Sequence, residues 1–171
     1  MSDFSIRRAR PEDAGILSDV ARDTFCAAFA HLYPPEDLEA FLESSYAPGA
    51  FAAALRDPAT ALWIAQAEDG RTAGYAQAGP CGLPHPEVTP ACGELKRLYL
   101  RPEFQNSGIG RELFGAALDW LAAPGRSLWI GVWSQNHGAQ RFYARHGFEK
   151  VGEYLLHVGK TRDQEFILRR G

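Results

Sequence analysis

Apolar positions along this chain recur at two spacings, every second residue or every third and fourth, and the changes between them mark out its elements. Phe4 and Ile6 alternate with polar neighbours across residues 3–8 and predict a first strand. Arg10-Pro11-Glu12-Asp13 then opens a helix, with proline near N1 and acids in a first turn where the dipole favours them. Leu17, Val20, Ala21, Thr24, Phe25 and Ala28 give that helix one apolar face. After the loop His31-Leu32-Tyr33, Pro34-Pro35 starts a second helix over residues 36–45. Leu38, Phe41 and Leu42 lie on one face of it, and Glu36, Glu39 and Glu43 on the other. Residues 50–55 have the pattern of a third, short helix. Strands over 60–68 and 72–78 meet at Asp69-Gly70, a hairpin signal. Residues 79–93 hold four prolines and three glycines and read as loop. A strand over 94–101, a helix over 108–122, a strand over 127–133 and a helix over 136–146 follow. Residues 149–158 and 165–169 close the chain as a hairpin around 159–163. The order β-α-α-β-β-β-α-β-α-β-β predicts an α+β fold with a mixed sheet. No repeat or linker divides it, so one domain is expected over residues 1–171.

The chemistry concentrates in residues 94–113, E-L-K-R-L-Y-L-R-P-E-F-Q-N-S-G-I-G-R-E-L. Leu95, Leu98 and Leu100 are the apolar content of the strand, Tyr99 adds β-propensity, and Pro102 ends the ladder for want of an N–H. Residues 105–110 are mostly small or polar, so backbone can pass close to a ligand there. Ile109, Leu113, Ala117 and Leu121 step by four, so a helix begins inside the turn. Its N-terminus offers unpaired N–H groups at the positive end of the dipole, which suits phosphate. A Walker loop would carry a lysine, but the run is Gly108-Ile109-Gly110-Arg111. A dinucleotide fingerprint would have a third glycine where Leu113 stands, inside a parallel βαβ unit that does not follow.

A second run completes the pattern. Residues 127–133, S-L-W-I-G-V-W, are β-rich; Asn136 is a good N-cap and Gly147 suits the C′ position of the helix between them. Together, the Q-x-x-G-x-G of residues 105–110 and the spacing of Asn136, Tyr143, Gly147 and Phe148 resemble the GNAT superfamily of N-acetyltransferases. The resemblance covers residues 95–148 strongly and the flanks loosely. It implies a mixed, mostly antiparallel sheet with helices on both faces and a splayed pair of central strands that admits acetyl-CoA.

The resemblance also implies roles. The backbone of Leu98, Tyr99 and Leu100 would pair with pantetheine like an added strand, one N–H polarising the thioester carbonyl. Gln105, Asn106, Ser107, Gly108, Ile109, Gly110 and Arg111 would hold the pyrophosphate; for Arg111 a solvated helix position is the other reading. Asn136 and Tyr143 lie seven residues apart, about 10 Å along one helix face, and would touch the pantetheine arm. Tyr143 would be the general acid for the leaving thiolate, because a tyrosine with pKa near 10 stays protonated at neutral pH. Glu94 stands where some members carry a glutamate that deprotonates the amine, often through water; a strand-end surface acid is the alternative. Residues 31–38 are similar to the bacterial spermidine/spermine acetyltransferase branch. That would place Tyr33, Glu36, Asp37 and Glu39 at the acceptor wall and make a polyamine the acceptor; a solvated helix face is the plain alternative. The expected reaction is direct attack of a small-molecule amine in a ternary complex, since the matched motif has no cysteine placed as an acyl-enzyme nucleophile. The rival class is a non-catalytic acyl-CoA-binding or sensing module of the same fold. Retention of Tyr143 with the full loop favours the enzyme.

Composition narrows the partners. The chain has 171 residues, 46% hydrophobic and 23% charged, enough for one domain with a real core. A net charge of −3 supplies no surface for nucleic acid. No run of 18 apolar residues and no basic-then-apolar leader is present, so a soluble cytoplasmic protein without a membrane partner is expected. A homodimer is left open. Three cysteines, odd in number and dispersed, fit reduced thiols. Cys81, His85 and Cys92 lack a fourth ligand at zinc spacing, so no metal is expected, and these residues are placed in a loop near the acceptor mouth. Trp129 and Trp133, evenly separated on one strand, are expected in the core.

Overall fold

Seven strands form one sheet in the order β1-β2-β3-β4-β5-β7-β6 in the computed structural model, which describes residues 3–171. They are β1 (Phe4–Arg8), β2 (Ala61–Ala67), β3 (Thr72–Pro80), β4 (Gly93–Leu100), β5 (Leu128–Trp133), β6 (Glu149–Val158) and β7 (Thr161–Arg170). All neighbours are antiparallel except β4 and β5. The helices are α1 (Ala14–Phe29), α2 (Pro35–Tyr46), α3 (Pro48–Arg56), α4 (Ile109–Leu121) and α5 (His137–Arg145). The expected α+β fold, with a mostly antiparallel sheet covered on both faces, is the fold observed. Among the described residues no helix is long and apolar enough to cross a membrane.

The two faces differ in grain. Ile109, Leu113, Phe114 and Ala117 of α4 pack on Ala61, Ala65, Ala73 and Ala76 of β2 and β3. Small strand residues let a bulky helix face settle close to the sheet. On the other face Leu17, Val20 and Phe25 of α1 and Phe51 of α3 meet Leu62, Ile64 and Tyr75. β2 is therefore buried on both sides and reads as a continuous apolar run.

β4 has the feature on which the site depends. Arg97 pairs with Gln77 and Leu95 with Ala78, so Lys96 has no opposite residue and forms a bulge. The extra residue restores parity: Leu95, Leu98 and Leu100 all face the α4 core, although an odd step separates the first two. β4 and β5 pair only at Gly93–Leu128, Glu94–Trp129 and Leu95–Ile130, and beyond the bulge they part.

Three boundaries differ from the sequence reading by two residues or more. β3 runs on to Pro80, into the stretch expected to be loop. α3 extends to Pro48, which occupies its first turn. β7 begins at Thr161, inside the stretch expected to be loop. Its alternation is carried by polar residues: Thr161, Asp163 and Glu165 are partly covered, and Arg162 and Gln164 are exposed. A search for apolar alternation passes over such a strand.

α2 is fastened to the turn of this β6–β7 hairpin. Thr161 Oγ1 donates to Asp37 Oδ2 at 2.7 Å, and the Tyr33 hydroxyl donates to Asp163. Gly159 adopts φ 60°, and a Cβ there would lie 2.5 Å from the Asp37 Cα. The Thr161 hydrogen bond, then the Lys160 amide, holds the Asp37 carboxyl below its usual 3.8. A carboxyl depressed by folding stabilises above its unfolded pKa and loses that effect as pH falls through its folded value. Asp37→Ala should therefore lower the melting temperature by a few degrees at pH 7, with the gap to wild type closing as pH drops below about 4. Thermal melts across that range check this; equal melting at pH 7 would mean Asp37 does not hold α2.

Candidate active site

The parting of β4 and β5 opens a cleft of about 950 Å³ through the middle of the sheet. The edge of β4 from Lys96 to Leu100 that faces β5 has no strand partner, nor has the facing edge of residues 131–133. Unpaired strand edges invite an extended ligand to complete the ladder. Leu98, Tyr99 and Leu100 line the cleft along this edge, as expected.

One end of the cleft has backbone geometry suited to an anion. After the short 3₁₀ turn Pro102–Phe104, Asn106 and Gly108 take left-handed conformations with φ 61° and 88°. The first i→i−4 bond of α4 is donated by Glu112 to Gly108 at 3.2 Å, which leaves the amides of 109–111 without helical acceptors. Gln105, Asn106, Gly108, Gly110 and Arg111 line the cleft here. Ser107 and Ile109 do not: Ser107 Oγ caps the Phe104 carbonyl, and the Ile109 side chain is buried in the α4 core. Only their backbone is available to a ligand.

Tyr143 and Asn136 lie on the β5 side, both in the cleft wall. Asn136 accepts from the Ala139 amide at 3.1 Å and so caps α5, as its position predicts. Tyr143 packs among Phe114, Phe142 and Phe148, with ring centres 5.6–6.3 Å away. Burial alone pushes its phenol up to about 12. Glu94 is buried and also lines the cleft, but its Oε1 already accepts from the Gly82 amide at 3.0 Å and from Lys96 Nζ at 3.2 Å.

The other end is aromatic and acidic. Phe25, Phe29, Tyr33, Phe41, Tyr46 and Trp133 form its walls, with Phe29 edge-on to Trp133 at 5.4 Å. Trp129 is core as expected, but Trp133 is half-buried and faces the cleft. Tyr33 lines this end of the cleft; Glu36, Asp37 and Glu39 do not, because α2 turns Phe41, Ser45 and Tyr46 toward it. Glu36 and Glu39 are exposed, with Glu39 4.0 Å from Arg22, and the Asp37 carboxylate is occupied by the hairpin turn. Residues 81–92 are not at the cleft mouth either. They cover Trp129 and Ile167, with His85 5.1 Å from the Trp129 ring and all cysteines free.

Among the cleft residues that the sequence reading does not mark are Arg97, Asp163 and Glu165. Arg97 lies over the Tyr46 ring at 4.5 Å, and Asp163 and Glu165 project from β7. Glu165 Oε2 is buried without a hydrogen-bond partner. Burial, and then Asp163, raise its carboxyl to about 7.

Free strand edges running from a glycine loop at a helix mouth to an aromatic, acidic pocket match the arrangement that the sequence resemblance implies. The family model for the acetyltransferase (GNAT) family matches residues 21–148. An uncharacterised N-acetyltransferase of Lactobacillus delbrueckii subsp. lactis is 30% identical over 99% of this chain and 98% of its own length. One from Mycobacterium tuberculosis is 32% identical over 92% of this chain and 97% of its own. Among solved structures, a PaiA N-acetyltransferase from Thermoplasma acidophilum in complex with coenzyme A superposes with a TM-score of 0.76. It is 23% identical and covers 99% of both chains, a likeness of fold. The chain belongs to the GNAT acetyltransferase family and is an acetyl-CoA-dependent N-acetyltransferase.

The Gly108 position tests the anion site. No atom lies within 4 Å of a Cβ built there, so the constraint is its φ of 88° and not space. A β-branched residue resists that region. Gly108→Val should reshape the loop and weaken acetyl-CoA binding at least tenfold, about 1.4 kcal/mol. Calorimetry on the folded variant gives the answer, and an unchanged Kd would separate the loop from the phosphates.

Proposed function

We propose that the protein transfers acetyl from acetyl-CoA to the primary amine of a small aliphatic cation, with polyamines the first class to test, by direct attack in a ternary complex. The observation that carries the acceptor class is the acidic and aromatic lining of the inner cleft. Ring faces attract ammonium groups by about 0.5–1 kcal/mol when exposed and about 2 or more when desolvated. Asp163 and Glu165 add negative charge beside those rings. Arg97, over Tyr46 and Phe51 at 4.5 and 5.6 Å, opposes it with a single positive charge against two carboxyls. The polyamine reading thus moves from the outer face of α2, where Glu36 and Glu39 stand, to the cleft itself. Glu94 serves in this reading to hold residue 82 and the bulge at Lys96 in place.

Coenzyme A fits the outer half: pyrophosphate at the amides of 109–111 and pantetheine along the free edge of β4. That the Thermoplasma relative in fold was solved with coenzyme A agrees with this. Tyr143 then stands beside the departing sulfur. Its phenol, at about 12, is a weaker acid than a thiol at about 8.5, so complete transfer to a free thiolate would be uphill. The role that fits is hydrogen-bond donation as charge gathers on sulfur, completed as the reaction's own surplus proton arrives. A neutral phenol throughout the working range also means no loss of activity from Tyr143 below about pH 10. No cysteine lines the cleft, which agrees with attack on the thioester without an acyl-enzyme.

Tyr143→Phe should keep acetyl-CoA affinity and lower turnover by about 10²-fold or more; turnover within threefold of wild type would remove the phenol from the chemistry. For the acceptor, free CoA is measured with spermidine, phenethylamine, glycinamide and an aminoglycoside. Spermidine should have the highest kcat/KM, and its KM should rise with salt as the screening length shrinks from about 10 Å toward about 3 Å. The double variant Glu36→Gln and Glu39→Gln should leave that KM within about twofold, because only screened, long-range charge is removed. A spermidine rate no better than that of the monoamine would end the polyamine reading and leave the acetyltransferase standing.

A further inference from the structure

We propose that Glu165 is the general base of the reaction, taking the proton from the acceptor ammonium before the amine attacks. This rests on the acceptor reading above and adds a catalytic residue that no loop motif marks.

The geometry singles it out by elimination. No histidine lines the cleft, so the base is a carboxylate or water. Of the carboxylates there, Glu94 already accepts from Gly82 and Lys96, and Asp163 accepts from the Tyr33 hydroxyl. Glu165 has a buried oxygen with no partner. An unsatisfied buried acceptor is costly, about 1–3 kcal/mol, and such atoms in a cleft call for a ligand. Cross-strand register aims it: Glu165 pairs with Trp133 on one side and with Tyr154 on the other, so all three share the face toward the acceptor end.

The charged and titratable groups around Glu165 leave it the one to change state near neutrality. On its own strand is Asp163, whose negative charge opposes a second. From β6 comes Tyr154, from α2 and the turn before it Tyr46 and Tyr33, and from β4 Tyr99; burial raises each of these phenols, so all are neutral at pH 7. Arg97 and Glu94 act at one remove, Arg97 on the same Tyr46 and Glu94 on the same Tyr154 that Glu165 affects. A carboxyl poised at about 7 is a stronger base toward the bound ammonium than an ordinary carboxylate, and it can still return the proton to water near neutrality.

The step balances. The ammonium gives one proton to Glu165. The freed nitrogen pair forms the C–N bond while the carbonyl π pair moves to oxygen. The tetrahedral intermediate re-forms C=O and breaks C–S, and that pair leaves on sulfur. The second nitrogen proton neutralises the sulfur, with the Tyr143 hydroxyl as donor at that atom. The products are the amide and the CoA thiol, and Glu165 sheds its proton to solvent.

The test is the pH dependence of kcat/KM for the acceptor, with free CoA as the readout and spermidine and phenethylamine as probes, from pH 5.5 to 10. Wild type should rise with an inflection near 7 and level off, because the ammonium is bound and deprotonated on the enzyme. Glu165→Gln should fall at least 10²-fold at pH 7.5. Its profile should climb without an inflection toward the amine's own pKa, about 10, because only free amine then reacts. Acetyl-CoA affinity should not change. Glu165→Asp, which keeps a carboxylate, should restore part of the rate and the inflection, and it replaces the Gln variant if that one fails to fold. A second readout needs no acceptor. A carboxyl raised by folding destabilises as pH climbs from its unfolded pKa through its folded one. Wild type should therefore lose melting temperature between pH 5 and 8, and Glu165→Gln should not. A Gln variant within threefold of wild type, or a wild-type profile that climbs unbroken toward 10, overturns the base assignment alone. No CoA release from any probe amine by wild type overturns the acceptor reading and the inference with it.

Discussion

Two parallel strands that pair for three residues and then part are the constraint on which this molecule's site depends. The parting is not slack in the sheet. Lys96 adds a residue to β4 that β3 does not match, and a bulge both bends a strand and strengthens its twist. The same residue keeps Leu95, Leu98 and Leu100 on the α4 side, so the bend carries no loss of core. Without it, Leu98 and Leu100 would turn toward Tyr75, and Tyr99 toward the alanines of β2 and β3. Packing on both faces thus enforces the bulge, and the bulge exposes hydrogen-bonding edges that a closed sheet would have satisfied. Buried backbone groups left unpaired are costly, and a ligand with amides of its own relieves that cost.

The cleft has two ends with opposite electrostatics because different elements build them. The outer end is made of backbone: amides at the mouth of α4, held open by left-handed residues at 106 and 108. Such a site binds charge spread over several oxygens and does not depend on side-chain ionisation. The inner end is made of side chains from α1, α2, β5 and the β6–β7 hairpin, and it is desolvated enough to raise every phenol and the Glu165 carboxyl. Pinning α2 to the hairpin turn through Asp37 and Tyr33 closes this end. Stability of the pocket and its acidity are therefore linked. Loosening α2 would admit water and let Glu165 return toward an ordinary carboxylate.

What the sequence disclosed follows from where each requirement is written. The loop at 105–110 and the cap at Asn136 are local demands of backbone geometry, met by residues within a few positions, so they can be read in order along the chain. The bulge is also written locally, as the odd step from Leu95 to Leu98 within a strand of period two, but Leu95, Leu98 and Leu100 read equally well as the apolar content of a plain strand. The acids of α2 show the opposite failure. Their charge pattern is a correct sign of a solvated face, and only the packing of Phe41 and Tyr46 decides that the cleft lies on the other side. Glu165 has no local signature at all. It sits in the polar run 161–165, and its meaning comes from Trp133 and Tyr154, brought alongside by pairing across β5 and β6.

Placing the proposed acid on α5 and the proposed base on β7 has a further consequence for the order of events. Tyr143 is packed among phenylalanines on the α4 side, and Glu165 stands among aromatic residues on the α1–α2 side, with Tyr99 sensing both. A thioester held along β4 in the proposed manner would lie between them. On this reading two of the three ammonium protons leave by different routes, one to Glu165 before attack and one toward sulfur after it. That division explains why the inner carboxyl is tuned near neutrality while the phenol is held far above it. In this reading the first exchanges with water in every turnover, and the second holds its proton until charge gathers on sulfur.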